Sequence, residues 1–214
     1  MKTLQEFINE SVSPNYIMAL INGLNYDFSE TENMPNNTKE ERAKKAKAQE
    51  EILINTINNA QEKYKVIGIK EYCNLINKTY SYELDSKFGD IIFMKNDEPI
   101  LFIDLKVAET DKYLGTPDMI SLVNFASKTD NKKYYLCTNI NGSSKKFVKA
   151  NDVWNKVVSK EATVLVSKDR KNISPDVKNL FDKVKLVAPE KMKNADLSKL
   201  YDEDYISTKD IRNI

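Results

Sequence analysis

Phe88 to Val107, FGDIIFMKNDEPILFIDLKV, is the stretch that decides the fold. Two apolar runs, Ile91-Ile92-Phe93-Met94 and Ile100-Leu101-Phe102-Ile103, flank the polar segment Lys95-Asn96-Asp97-Glu98-Pro99. Short apolar runs around turn-forming residues predict a β-hairpin, here with a five-residue loop. Its charges are unusually placed. Asp90 stands at the mouth of the first strand, and Asp104 and Lys106 interrupt the end of the second. Setting Met94 opposite Ile100 puts Ile92 opposite Phe102 and Asp90 opposite Asp104. Opposed Cβ atoms lie about 4.5–5.5 Å apart, and like charges there repel. Strand side chains alternate, so Lys106 shares the Asp104 face. Two carboxylates and one ammonium thus fall on a single patch of sheet. A divalent cation between the carboxylates would turn repulsion into binding, since hard cations take oxygen ligands. A bulge that shifted the register by one would break the arrangement. The competing reading of Asp104 and Lys106 is a surface ion pair at a strand end, worth little to stability.

Upstream, Thr38 and Glu41 have capping-box spacing, and a helix is predicted from there to about Tyr64. Leu53, Ile54, Ile57, Ala60 and Tyr64 form its apolar stripe. Glu50 precedes Leu53, Ile54 and Ile57 by three, four and seven residues, so it lies on or beside the buried face. It either turns outward to solvent or faces a site. Residues 65–87 read as short strands and turns around Val66-Ile67-Gly68-Ile69 and Tyr80-Ser81-Tyr82. Downstream, Thr116-Pro117-Asp118 is a helix start, with the helix running from Pro117 to Ser127. Lys132 to Thr138 reads as a buried strand and Asn141-Gly142 as a turn. Phe147 to Val158 is expected to be helical with Trp154 as anchor, Ala162 to Val166 a strand, and Pro175 to Val184 and Asp196 to Tyr201 helices. Strands interleaved with helices predict an α/β sheet covered by helices.

The ends of the chain are read separately. Tyr16, Ile17, Met18, Leu20 and Ile21 predict a short helix, and the following SETENMPNNT a loop or linker. The expected division is a leader segment at 1–13, a helix and linker at 14–38, a core domain at 39–170 and a helical extension at 171–214.

Composition narrows the chemistry. The chain has 214 residues, 41% hydrophobic and 30% charged, enough to bury a core without staples. A net charge of +1 points neither toward nor away from nucleic acid, because an acidic metal site offsets basic patches in the sum. Histidine is absent, which excludes imidazole metal sites and His-based triads. Acid–base work is left to carboxylates, lysine, tyrosine or metal-bound water. The two cysteines, Cys73 and Cys137, lie in apolar surroundings and read as reduced core residues. No apolar run is long enough for a membrane span, and the N-terminus lacks the apolar core of a secretory signal.

A helix carrying Glu50, a strand pair carrying Asp90 and Asp104-x-Lys106, then a helix and a strand, resembles the PD-(D/E)xK nuclease superfamily across about residues 39–140. The resemblance implies a restriction-endonuclease-like core: helix, three-strand antiparallel meander, helix, strand, here with extra N- and C-terminal helices. The run DLKVAETDKYLGTPDMISLVNFASK is similar to the equivalent stretch of archaeal-type Holliday-junction resolvases. Gly89 replaces the eponymous proline, and Asp104 is the variant form of the more common Glu. By this resemblance Asp90, Asp104 and the Leu105 carbonyl hold Mg²⁺ or Mn²⁺, and Glu50 binds it directly or through water. Lys106 orients or deprotonates the attacking water. The implied activity is a DNA endonuclease leaving 5′-phosphate and 3′-hydroxyl ends, and a double-strand cutter with one site per chain would act as a homodimer. Tyr113, Thr116 and Ser121 follow the motif closely enough to line a substrate groove. The basic runs Lys44-Lys45-Lys47, Lys132-Lys133, Lys145-Lys146-Lys149 and Lys156-Lys160 are solvated faces or phosphate contacts.

The first ten residues, MKTLQEFINE, resemble the capsid-targeting leader of internal head proteins of large contractile-tailed phages, which is cut after a Glu. The other reading of this amphipathic segment is a helix packing on the domain. The leader reading implies a phage protein acting in the host cytoplasm and packaged in the head. The alternative function is a catalytically inactive DNA-binding, inhibitor or structural head protein on the same fold.

Overall fold

The computed structural model describes residues 14–108, 121–127, 130–159, 164–167 and 184–187. Helix α1 (Pro14–Gly23) buries Ile17 and Ile21, one turn apart, and a 3-10 turn follows at Ser29–Thr31. Helix α2 (Lys39–Ala60) starts with the full capping box. Thr38 Oγ1 accepts from the Glu41 N–H at 3.1 Å, and Glu41 returns the bond to the Thr38 N–H at 2.9 Å. The helix stops short of the expected Tyr64 because amide side chains compete for the backbone. Gln61 is extended and bonds both backbone groups of Tyr64, and Asn58 does the same for Val66.

Strand β1 (Lys65–Gly68) is followed by two short helices, α3 (Ile69–Leu75) and α4 (Tyr82–Phe88). This corrects the reading of Tyr80-Ser81-Tyr82 as strand. Ser81 caps α4, its Oγ accepting from the Leu84 N–H at 3.3 Å. Strands β2 (Ile91–Lys95) and β3 (Glu98–Ala108) form the hairpin, but its loop is only Asn96-Asp97. Both turn residues have positive φ, 52° and 63°, the type I′ geometry that matches strand twist. Met94 consequently pairs with Pro99 rather than Ile100, and the register slips once between Phe93 and Met94. That irregularity sits at the turn end. Beyond it Ile92 pairs with Phe102, as expected, and Ile91 with Ile103.

Strands β4 (Lys133–Asn139) and β5 (Lys145–Lys149) and helix α5 (Ala150–Val158) complete the sheet and its cover. The sheet order is β1-β2-β3-β4-β5, antiparallel except for the parallel β3–β4 pair. Phe147 and Val148 lie in β5 rather than in the predicted helix, because Val148 pairs with Tyr135 in the ladder. Two further strands, β6 (Val164–Ser167) and β7 (Val184–Val187), pair in parallel. Val184 therefore opens a strand instead of closing a helix. The rest of that predicted helix, the Asp196–Tyr201 helix and the leader segment 1–13 lie outside the described residues.

The result is a mixed α/β fold with apolar clusters on both faces of the sheet. Ile17, Ile21, Phe28, Leu53 and Ile57 pack against Ile91, Phe93, Leu101, Ile103 and Leu136. Tyr72, Cys73, Leu122, Phe125 and Val153 pack against Ile92, Met94, Phe102, Tyr135 and Cys137 on the other face. Residues 14–38 belong to this core: Phe28 donates its N–H to the Ile140 carbonyl at 2.7 Å, and Gln49 donates to Thr31 Oγ1 at 3.0 Å. Both cysteines are buried thiols. No helix among the described residues is long and apolar enough to cross a membrane.

Candidate functional site

The alternation that splits the core also sorts the charges. Ile91, Phe93, Leu101 and Ile103 face α1 and α2, while Ile92, Met94 and Phe102 face the opposite side. Asp104 and Lys106 follow the even-numbered set and share one face of β3 at the end of the hairpin away from its turn, and Asp90 lies in the bend just before β2. Asp90 donates its N–H to the Ile103 carbonyl at 2.9 Å, and its Oδ2 accepts from the Leu105 N–H at 2.7 Å. The first acid is thus tied to the residue between the second acid and the lysine.

Gly89 explains how Asp90 reaches that point. It ends α4, donating its N–H to the Asp85 carbonyl at 2.8 Å with φ at 77°. An added Cβ would come within 2.8 Å of the Ile103 carbonyl oxygen and 3.0 Å of the Phe125 ring. A proline, whose φ is held near −65°, is incompatible with this turn.

Asp104 is only 5% exposed. Its Oδ2 accepts from Ser121 Oγ at 2.8 Å, and Ser121 Oγ lies 2.9 Å from the Tyr135 hydroxyl. A serine hydroxyl carries one hydrogen, so with Ser121 donating to Asp104 the Tyr135 hydroxyl donates to Ser121. The other oxygen, Oδ1, is met by the Lys106 ammonium. Ser121, expected in a substrate groove, is instead buried behind the acid. It leads into a π-helical turn, Leu122–Ala126, the type of irregularity found often at functional sites. Tyr113 and Thr116 lie outside the described residues.

Glu50 comes from α2. Ile54, one turn further along α2, lies close to Gly68 at the end of β1, beside the Asp90 carbonyl. Glu50 is half-buried there, and its carboxyl is pushed up to about 8, first by burial and then by the charges of Asp85 and Asp104. Asp90 is held well above the usual carboxylate range by burial, then by Asp104 and Glu50, with Lys106 opposing. Glu51 points away and pairs with Lys47 across the exposed surface.

Asp85 was not singled out by sequence. It acts on Glu50, Asp90 and Tyr80, whose hydroxyl is bonded to it. The signal was available: a capping serine at 81 starts a helix that ends at Gly89, which sets Asp85 one turn before Gly89. The Tyr80 hydroxyl is pushed up to about 12 by burial and by Asp85, with Glu50 and Asp90 adding to the effect.

Chemically, these carboxylates crowd one ammonium, and a hard cation would relieve their mutual repulsion. Among the described residues no three acidic or cysteine side chains converge closely enough to cage a metal by themselves. That still suits Mg²⁺, which uses one or two carboxylates and keeps water and substrate oxygens as its other ligands. A separate groove, lined by Arg42, Lys45, Gln49 and Val107, includes none of these acids. Lys133 and Lys145 are not solvated faces. Lys133 is buried and donates to the Lys87 carbonyl at 2.8 Å, and Lys145 donates to the Leu24 carbonyl.

Comparison with protein-family models, with curated proteins and with solved structures finds no match to this chain.

Proposed function

We propose that the chain is a divalent-metal-dependent DNA endonuclease of the PD-(D/E)xK type on a restriction-endonuclease-like core. The observation that carries this reading is the meeting of Asp90, Asp104 and Lys106 at one end of the hairpin, with Asp90 bonded to the Leu105 N–H and Lys106 paired with Asp104. The β1–β2–β3 meander followed by parallel β4 supports it as well.

Asp90, Asp104 and the Leu105 carbonyl would hold Mg²⁺ or Mn²⁺, with Glu50 at the same centre. When bound, the cation supplies Lewis acidity toward the scissile phosphate and lowers the pKa of coordinated water. The chain's own residues do the rest. Ser121 and Tyr135 hold Asp104 Oδ2, which turns Oδ1 toward Lys106. Lys106 orients the attacking water and sets positive charge against the charge that develops on the phosphate. Hydrolysis leaves a 5′-phosphate and a 3′-hydroxyl.

The test is cleavage of supercoiled plasmid and of a four-way junction with Mg²⁺, Mn²⁺ or EDTA, beside Asp104→Ala, Asp90→Ala and Lys106→Ala. Cutting that needs metal and disappears in all three variants is expected. Cutting retained in all three would overturn the assignment.

A further inference from the structure

Tyr80 and Tyr82, 41% and 53% exposed, flank the N-cap of α4, the helix that carries Asp85. The Tyr80 hydroxyl is bonded to Asp85, and Tyr82 lies one helical turn before Asp85 on α4. Ser81 between them is extended, with φ −143° and ψ 157°. Tyr80 therefore lies just before the helix and Tyr82 opens it, two residues apart at the same turn of chain. Each ring also carries a cation. The Lys70 ammonium lies 5.2 Å from the Tyr80 ring centre, and the Lys39 ammonium 6.0 Å from that of Tyr82.

We propose that Tyr80 and Tyr82 form a stacking platform for unpaired nucleobases of the strand that enters the candidate site, with Lys39 and Lys70 facing its phosphates. The proposal rests on the nuclease reading and adds a substrate class: nucleic acid with unpaired bases beside the scissile position. Aromatic faces fringed by ammonium groups match the two things every nucleotide offers, a π-face and a phosphate. An apolar peptide would instead need an aliphatic rim. A perfectly paired duplex keeps its bases stacked inside and cannot use the rings.

The experiment measures equilibrium binding of the full chain in EDTA. The probes are a labelled single strand, the matching duplex, and that duplex with one bulged 2-aminopurine. Single strand and bulge should bind more tightly than duplex, with quenching of the bulged base. Tyr82→Ala and Tyr80→Ala should each weaken those two probes about 5- to 100-fold, the range of losing one base–aromatic stack. Both should change duplex binding less than about twofold, and Tyr82→Trp should retain the preference on the same grounds. Equal affinity of the wild type for all three probes, an equal loss on all three, or no loss in the variants overturns the platform. Cleavage is read separately in Mn²⁺. Metal-dependent cutting without a tyrosine effect rejects the platform alone, while stacking without cutting by the wild type rejects the nuclease reading.

Discussion

Replacing Glu50 by Gln should stabilise the protein, by an amount that depends steeply on pH. In the unfolded chain Glu50 titrates near its ordinary value of 4.5, and in the folded protein near 8. Below pH 4.5 both states carry the proton and the carboxyl has no linkage effect. Between the two values the folded state holds a proton that the unfolded state has released, so stability falls as pH rises. Each pH unit is worth about 1.4 kcal/mol. At pH 7 the penalty spans two and a half units, or about 3 kcal/mol, and it levels off above pH 8. Glutamine keeps the shape without the charge. It also removes one of the carboxylates that raise Asp90. Urea unfolding of both proteins from pH 4 to 9 measures this directly. With a slope of about 2–3 kcal/mol per molar, the midpoint of Glu50→Gln at pH 7 should lie about 1–1.5 M above wild type. The two midpoints should converge at pH 4. A constant difference across the range, or a less stable variant at pH 7, would refute the picture of Glu50 as one of a set of crowded carboxylates. Saturating Mn²⁺ should narrow the gap, because the ion stabilises the wild type by mass action.

Other consequences are checked as simply. Tyr135→Phe removes the hydroxyl that orders Ser121 and Asp104, so calorimetric Mn²⁺ affinity should fall about three- to tenfold, in the range of losing one hydrogen bond. The circular dichroism spectrum should not change. Gly89→Ala places a methyl against the Ile103 carbonyl at positive φ and should cost at least about 2 kcal/mol in urea unfolding, with loss of cleavage as Asp90 is displaced. Thr38→Ala breaks the capping box of α2 and should cost about 1 kcal/mol in urea unfolding.

Much of the site was legible because it depends on local periodicity. Alternation along β3 puts Asp104 and Lys106 on one face, and the hairpin brings Asp90 to the same end of the strand pair. The expected loop length was wrong, yet the pairing of Ile92 with Phe102 held, because the irregularity falls between Phe93 and Met94 on the turn side. Spacing within one helix likewise set Glu50 beside the buried stripe, and Thr38 with Glu41 marked where that helix begins. The strand at Phe147-Val148 was misread because a short apolar run beside a helix carries no periodicity of its own, and only its pairing with β4 makes it a strand.

The chain by itself determined the hairpin, the start of α2, the absence of imidazole chemistry and the residue types available for metal and phosphate. The tertiary structure alone decided which side chains stand behind and around the acids. Ser121 and Tyr135 reach Asp104 across 17 and 31 residues of sequence, a meeting set by the parallel register of β3 and β4. Asp85 joins the acids because Gly89 turns the chain sharply from helix into strand. Local pattern can assign a side chain to a face. Distances between faces follow only from how the elements close on one another, and those distances set the charges, the buried hydrogen bonds and the rings at the rim.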